Sequence, residues 1–146
     1  MDYILHAAVA QDREWLWRTK CDCLRPYVEQ TFGGWNEAEQ RARFVTNFDT
    51  AEVRLIAAAG RDVGYVSARP SPEELRLFNI MIAPEFQNRG LGTAVLRQLQ
   101  TEAKTLGVPL RLQVLKVNPA RRLYARLGFT TVEETATHVR MLWRPA

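Results

Sequence analysis

One stretch has the residue types and spacing to do chemistry through its main chain: Gln87-Asn88-Arg89-Gly90-Leu91-Gly92-Thr93. An apolar run over residues 75–83 leads into it and an amphipathic segment leads out, in the order strand, Gly-containing turn, helix. The first N–H groups of a helix have no partner inside it, and the macrodipole places about half a positive charge at that end. A phosphate or another anion suits such a terminus. Gly90 and Gly92 carry no Cβ, so a ligand can approach the backbone there, and Pro84 removes a ladder donor and helps end the strand. A Gly-x-Gly pair also serves ordinary tight turns. The phosphate-loop pattern G-x-x-x-x-G-K-[ST] is absent, and Val95 stands where the third glycine of the dinucleotide fingerprint would fall, so both common nucleotide loops lose support.

The elements that must hold this stretch can be read in chain order. Residues 3–9 are apolar enough for a first strand. From about Gln11 a helical pattern sets Trp17, Cys21, Leu24 and Val28 on one stripe, and Pro26 inside it predicts a kink or break near residues 24–26. Phe32-Gly33-Gly34-Trp35 interrupts the pattern, and Asn36 with Glu39 reads as a capping box for a second helix to about Asn47. Strand-like runs at 53–59 and 63–69 flank Gly60-Arg61-Asp62 as a short hairpin, and Pro70-Ser71-Pro72 ends the second. The run at 75–83 is nearly continuously apolar after Leu77, as a central strand covered on both faces should be. Leu91, Val95, Leu99, Ala103 and Leu106 then recur at helical spacing until Gly107 and Pro109 stop them. Leu110, Leu112, Val114 and Leu115 form the next strand, parallel to its predecessor by strand and helix alternation. Asn118-Pro119 opens a last helix with Ala120, Leu123, Tyr124 and Leu127 on its buried stripe and Gly128 at its end. Residues 130–134 and 137–143 read as a closing antiparallel pair. The order is β, α, α, β, β, β, α, β, α, β, β.

Two blocks carry a family resemblance. Asn79-Ile80-Met81-Ile82-Ala83-Pro84-Glu85-Phe86-Gln87-Asn88-Arg89-Gly90-Leu91-Gly92 resembles the acetyl-CoA motif of the GNAT superfamily of N-acetyltransferases, Q/R-x-x-G-x-G/A after a strand. Asn118-Pro119-Ala120-Arg121-Arg122-Leu123-Tyr124-Ala125-Arg126-Leu127-Gly128-Phe129 is similar to that superfamily's following motif, N-x-x-A-x-x-x-Y-x-x-x-G-F, with the small residue shifted. Together, in order and a helix and a strand apart, they are far more specific than either alone, and the resemblance extends over nearly the whole chain. It implies one GNAT-like domain over 1–146: an α/β fold with a mixed sheet, of α+β character, whose central parallel strand pair splays apart. It also implies acetyl-CoA as co-substrate, held by the main chain of Ile80, Met81 and Ile82, by Gln87, Asn88, Arg89, Gly90, Leu91, Gly92 and Thr93, and by Asn118 and Tyr124. A backbone N–H on that strand would polarise the thioester carbonyl, a role worth roughly 2.7–4 kcal/mol where one such donor has been removed.

By the same resemblance Tyr124 is the general acid. A phenol of pKa about 10 can donate to a departing thiolate. Its place on the apolar stripe also fits a core tyrosine with a hydrogen-bonded hydroxyl. The first helix pair would border the acceptor site, so Tyr27, Glu29, Phe32 and Trp35 are substrate-side candidates, with core packing of the aromatics and a solvated Glu29 as the plain alternatives. His138, which titrates near neutrality, is a further acceptor-site candidate against a structural role in its strand. Within residues 79–92 the chain most resembles ribosomal-protein N-terminal acetyltransferases, which carry a Glu on the strand after the long helix where this chain has Gln113. Gln cannot take a proton, which leaves Glu29, Glu73, Glu74 or a water chain as the base.

Bulk properties narrow the class. The chain has 146 residues, 47% apolar and 25% charged, which is ordinary globular composition for one domain. A net charge of +4 is modest, and part of it falls at Arg89, Arg121, Arg122 and Arg126, where an anionic cofactor would lie, so nucleic acid is not needed to explain it. Cys21 and Cys23 are two apart on a helix and lack the further ligands of a zinc site, so no metal is expected and both read as thiols of a reducing compartment. Met1-Asp2-Tyr3 does not open a signal peptide, and no window approaches about 18 apolar residues, so a cytoplasmic protein without a membrane partner is expected. The expected function is acetyl transfer from acetyl-CoA to a primary amine by direct attack in a ternary complex, because no cysteine stands near either motif as a covalent carrier. The alternative is a non-catalytic acyl-CoA-binding sensor or interaction module, motivated by the missing base. The acceptor, a small molecule or a peptide or protein amine, is not named by the sequence, and a homodimer stays open.

Overall fold

A computed structural model describes residues 1–48 and 52–146. Its elements are β1 (Ile4–Ala7), α1 (Arg13–Phe32), α2 (Glu37–Asn47), β2 (Val53–Ala58), β3 (Arg61–Pro70), β4 (Leu75–Ile82), α3 (Leu91–Leu106), β5 (Leu110–Leu115), α4 (Ala120–Arg126), β6 (Thr130–Glu134) and β7 (His138–Trp143). This is the order expected from the sequence. The seven strands form one sheet in the order β1-β2-β3-β4-β5-β7-β6, antiparallel throughout except for the parallel pair β4 and β5.

The sheet is covered on both faces because its strands alternate. In β2, Val53 and Leu55 join Leu16, Trp17 and Phe44 of α1 and α2, while Ile56 and Ala58 face the opposite core. That second core is built from Leu91, Val95, Leu96, Leu99 and Ala103 of α3 against Leu77, Leu110 and Leu112. The α3 stripe is essentially inaccessible from Leu91 to Ala103, and burying each large apolar side chain in it contributes roughly 1.5–3 kcal/mol, whereas Leu106, expected on the same stripe, is 53% exposed at the helix end. Gln100 of the same helix donates to the Leu127 carbonyl at 2.9 Å, tying α3 to the end of α4.

Local signals act as expected with three differences. Asn36 accepts from the Glu39 N–H at 3.0 Å, and Gly33 ends α1 in a left-handed conformation at φ 82°. The kink or break expected at Pro26 does not divide the helix: α1 runs on to Phe32. Asp22 and Pro26 are both exposed, so water can take the carbonyl that Pro26 leaves unbonded. The β2–β3 turn falls on Ala59 and Gly60, at φ 53° and 78°, one residue earlier than Gly60-Arg61-Asp62, because both central residues of so tight a turn need positive φ and Arg61 already pairs with Ala58. The first strand is also shorter than residues 3–9, being confined to the edge of the sheet. Among the described residues no helix is long and apolar enough to cross a membrane.

The feature that positions the site is the brevity of the β4–β5 ladder. Only Leu75, Arg76 and Leu77 pair with β5, opposite Leu110, Arg111 and Leu112, although both strands continue. Beyond Leu77 the strands part, while β4 stays bonded to β3 as far as Ile82 opposite Gly64. Gly64 is required there: a Cβ at that position would stand 2.2 Å from the Met81 carbonyl oxygen. Gly64→Ala is expected to cost about 1–3 kcal/mol by forcing β3 away from β4, read as a lower urea midpoint. An unchanged midpoint would show that the strand pair does not hold the opening.

Candidate active site

A cavity of about 660 Å³ opens where β4 and β5 part. The Ala83 N–H donates to Val63 of β3 at 2.8 Å, so by alternation along an antiparallel pair the N–H and C=O of Ile82 and Ile80 face away from β3. The Ile82 carbonyl is met there by two donors, the Cys23 thiol at 3.1 Å and the Gln87 side-chain amide at 2.8 Å. Those contacts pin α1 and the turn after β4 to the free edge of the strand.

At the other wall lies the start of α3. Gly90 is its N-cap with φ 83°, a conformation favoured by glycine, and Asn88 is also left-handed at φ 63°. A glycine cap has no side chain to offer, and the first turn of α3 has no acidic residue. The Ala94 N–H bonds back to the Gly90 carbonyl at 3.0 Å, which leaves the Leu91, Gly92 and Thr93 amides without intrahelical partners. Three donors and the positive end of a helix of 16 residues therefore face the cavity uncompensated. Arg122 and Arg126 of α4 line it as well.

The third wall is α4. Asn118 accepts from the Ala120 N–H at 2.9 Å, opening that helix as its sequence suggests. Tyr124 is 7% exposed and packs edge-on against Phe129 at 5.8 Å, and burial pushes its phenol up to about 12. It is both a core residue and part of the cavity wall.

The cavity thus brings together Ile80, Met81, Ile82, Gln87, Asn88, Gly90, Leu91, Gly92, Thr93, Asn118, Tyr124 and, from the acceptor candidates, Tyr27. Five candidates are not brought to it. Arg89 lies over the Phe86 ring at 5.2 Å, with Arg61 over the same ring at 4.5 Å. Glu29 is exposed and paired with Arg25 at 2.6 Å, and Phe32 is 60% exposed. Trp35 stacks on Trp17 at 6.2 Å, joining the core of α1 and α2. His138 meets Thr137 through Nδ1 at 2.7 Å, and burial first, then Arg140, holds its pKa below the usual range.

Among the described residues no carboxylate lines the cavity. Gln113 accepts from Arg140 at 3.0 Å. Glu74 pairs with Arg111 at 3.1 Å at the closed end of the β4–β5 pair, and Glu73 lies in the adjoining turn with Ser71. Six residues of strand, roughly 20 Å, separate Glu74 from Ile80.

Sequence reasoning missed Cys23 at the cavity, along with several apolar wall residues; of the four arginines it placed beside an anionic cofactor, Arg122 and Arg126 line the cavity and Arg89 and Arg121 do not. The signal for Cys23 was its i, i+4 relation to Tyr27 on α1. The expectation that no cysteine stands near the motifs is corrected, because α1 crosses β4 there. Burial pushes the Cys23 thiol up to about 11, Asp22 adds to the shift, and the contacts with Ile82 and Gln87 oppose it only in part. A protonated thiol is a poor nucleophile.

Comparison with known proteins gives the family. The sequence model of the acetyltransferase (GNAT) family matches residues 13–129, and the chain belongs to that family. A [ribosomal protein bS18]-alanine N-acetyltransferase of Salmonella typhimurium is 40% identical over 106 residues, 71% of this chain and 64% of the relative. The Haemophilus influenzae enzyme of the same name is 38% identical over 72 residues, 49% of each chain. The match therefore spans less than two thirds of the length of these curated relatives. Similar folds are the PaiA N-acetyltransferase of Thermoplasma acidophilum in complex with coenzyme A (TM-score 0.73, 16% identity, 99% and 100% of the two chains) and the ribosomal-protein-S18-alanine N-acetyltransferase of Escherichia coli (TM-score 0.73, 21% identity, 99% and 96%).

The state of Cys23 is directly testable. With its pKa near 11 instead of 9.0, thiolate is about a hundredfold scarcer below pH 9, while the more basic thiolate is the better nucleophile. Iodoacetamide at about pH 8 is expected to alkylate Cys23 about tenfold more slowly than an unperturbed thiol, with the rate still climbing above pH 9. Peptide mapping by mass spectrometry measures it, and a rate that levels off by pH 9 contradicts the assignment.

Proposed function

We propose that this protein transfers an acetyl group from acetyl-CoA to a primary amine by direct attack in a ternary complex. The observation that carries the reading is the convergence on one cavity of an uncapped α3 terminus, an unpaired stretch of β4 backbone and Tyr124. The diphosphate of the cofactor would lie on the Leu91, Gly92 and Thr93 amides, with Arg122 and Arg126 supplying further positive charge. The pantetheine arm would run along β4, bonded to the outward backbone groups of Ile80 and to the N–H of Ile82, whose carbonyl is already taken by Cys23 and Gln87. Tyr124 would protonate the departing thiolate, a fitting role for a phenol held fully protonated across neutral pH. Cys23 is held as a thiol, so attack by the acceptor amine itself is favoured over a covalent carrier.

The acid-free cavity also bears on the acceptor. Without a carboxylate at hand, the amine that reacts is the one already neutral in solution or deprotonated through water. An α-amino group titrates near 7.7–8.0 and a lysine near 10.4, so at about pH 7.5 the neutral fraction of the former is some hundreds of times larger. Protein or peptide α-amines are therefore the favoured acceptors, in keeping with the alanine N-acetyltransferase names of the relatives. The second reading, an acyl-CoA-binding module without turnover, rests on the same missing carboxylate and on Gln113.

Calorimetry with acetyl-CoA and a thiol-release assay over α-amine peptides and small amines separate these readings. No binding at tens of micromolar cofactor removes both, and binding without turnover on any amine leaves the module. For the enzyme, Tyr124→Phe is expected to lower kcat by about 10²–10⁴ while the acetyl-CoA Kd stays unchanged. Because its acid form persists up to about pH 12, deprotonation of Tyr124 should cause no fall in kcat through pH 10. The acid limb of kcat/KM should follow the acceptor, moving up by two units or more when a lysine-like amine replaces an α-amine. A limb fixed near the same pH for both would reveal a protein base instead.

A further inference from the structure

A second cavity, of about 240 Å³, lies on the face of the sheet covered by α1 and α2 and shares no lining residue with the first. Its floor is Tyr65 and Ser67 of β3 with Asn79 of β4, and Lys20, Phe44 and Phe48 also line it. The Tyr65 hydroxyl is fully buried and has no hydrogen-bond partner among the described residues, in a residue only 2% exposed. Leaving such a group unsatisfied costs about 1–3 kcal/mol, so it needs an occupant of the cavity to bond. Ser67, 8% exposed, and the Asn79 amide add donors and acceptors beside it.

The charge in the cavity is one-sided. Lys20 is partly buried, with its ammonium 5.7 Å from the centre of the Phe44 ring, and forms no ion pair among the described residues. Burial holds its pKa below the usual lysine range, the direction expected of an ammonium that lacks a counter-ion. Among the described residues no acidic side chain lines the cavity, and the other cation there, Arg43, is engaged by Glu39 at 2.9 Å. Phe44 and Phe48 give the remaining wall an aromatic, apolar surface. At about 30 Å³ for each water, the space equals roughly eight water molecules, enough for a carboxylic acid with a short apolar tail.

We propose that this cavity is a binding site for a small organic monocarboxylate, whose carboxylate pairs with Lys20 and takes the Tyr65 hydroxyl as a donor while its tail packs on Phe44 and Phe48. The site uses nothing from the acetyl-CoA cavity, so it stands or falls independently of the transferase reading.

The test is an NMR titration of the ¹⁵N-labelled full chain with sodium benzoate and sodium isobutyrate, and with benzamide and isobutyramide as neutral isosteres. At least one carboxylate should give saturable shifts at the backbone amides of Tyr65, Ser67 and Asn79, with affinity about tenfold or more above its amide. Lys20→Met should abolish that preference for the anion. Tyr65→Phe, which removes only the hydroxyl, should weaken carboxylate binding severalfold. Failure of both carboxylates to saturate at tens of millimolar overturns the proposal and leaves a water-filled void. Equal binding of acid and amide, or full affinity in Lys20→Met, overturns it as well. The comparison of acid with amide needs only the wild-type chain, so a poorly folded variant does not obscure the answer.

Discussion

Everything at the candidate active site depends on a hydrogen-bond ladder that stops early. A buried strand must place its N–H and C=O groups somewhere, and a ladder that ends after three pairs leaves a row of them on the β5 side of β4. The protein satisfies one of these itself, the Ile82 carbonyl, through the Cys23 thiol and the Gln87 amide. Both contacts sit at the rim, where they fix the opening between α1 and the turn before α3. The groups further in face a cavity, which is how a sheet offers backbone donors and acceptors to a ligand without becoming an exposed edge.

The second wall follows the same rule by different means. A helix start normally receives a Ser, Thr, Asp or Asn side chain, and α2 has one in Asn36. The start of α3 has Gly90 and no acid in its first turn, so its free amides and dipole remain available. Its 16 residues and buried apolar stripe make the helix stable without a cap, so the forgone capping contact is a small loss to the fold. The void between β4 and β5 and the uncapped α3 terminus both leave backbone polar groups on the same side of Ile80 and Ile82. Shape and field therefore coincide there, and Tyr124 reaches the space from the α4 side.

Much of this was legible in the sequence because its signals were local or periodic. The order of elements, the Gly turn before α3, the Asn36 cap and most of the α3 stripe each depend on residues within a few positions of one another and appear in the structure, whereas the Glu39 half of the expected capping box does not, its carboxylate pairing with Arg43. The Gly-containing turn and the Asn118 to Phe129 block likewise placed most of the cavity wall. What sequence could not place were side chains whose direction is decided by distant packing. Trp35 was drawn into the aromatic core by Trp17, and Arg89 was taken up by Phe86. Cys23 went the other way, into the cavity, because α1 crosses β4, a contact between residues 59 positions apart. Tyr27 and Trp35 share a helix–turn segment and a residue class, yet one lines the cavity and the other packs away from it.

The alternation along β4 explains how one strand serves both faces. Ile80 and Ile82 pack with the α3 core, whereas Asn79 and Met81 turn to the face of α1 and α2. Near-continuous apolarity in this run suggested a strand covered on both sides; Phe78, 37% exposed, departs from that, and Asn79 is the polar exception. Asn79 is half-buried, and a polar side chain turned to the covered face of a sheet costs free energy unless it is bonded or wet, which agrees with the polar cavity it lines. That space holds the unpartnered Tyr65 hydroxyl and opens toward Lys20, one turn along α1 from the Leu24 that borders the larger cavity. The departure from apolar patterning in β4 and the unsatisfied group in β3 thus point to the same volume. They come from independent observations, one of composition and one of geometry, and a purely structural core accounts for neither.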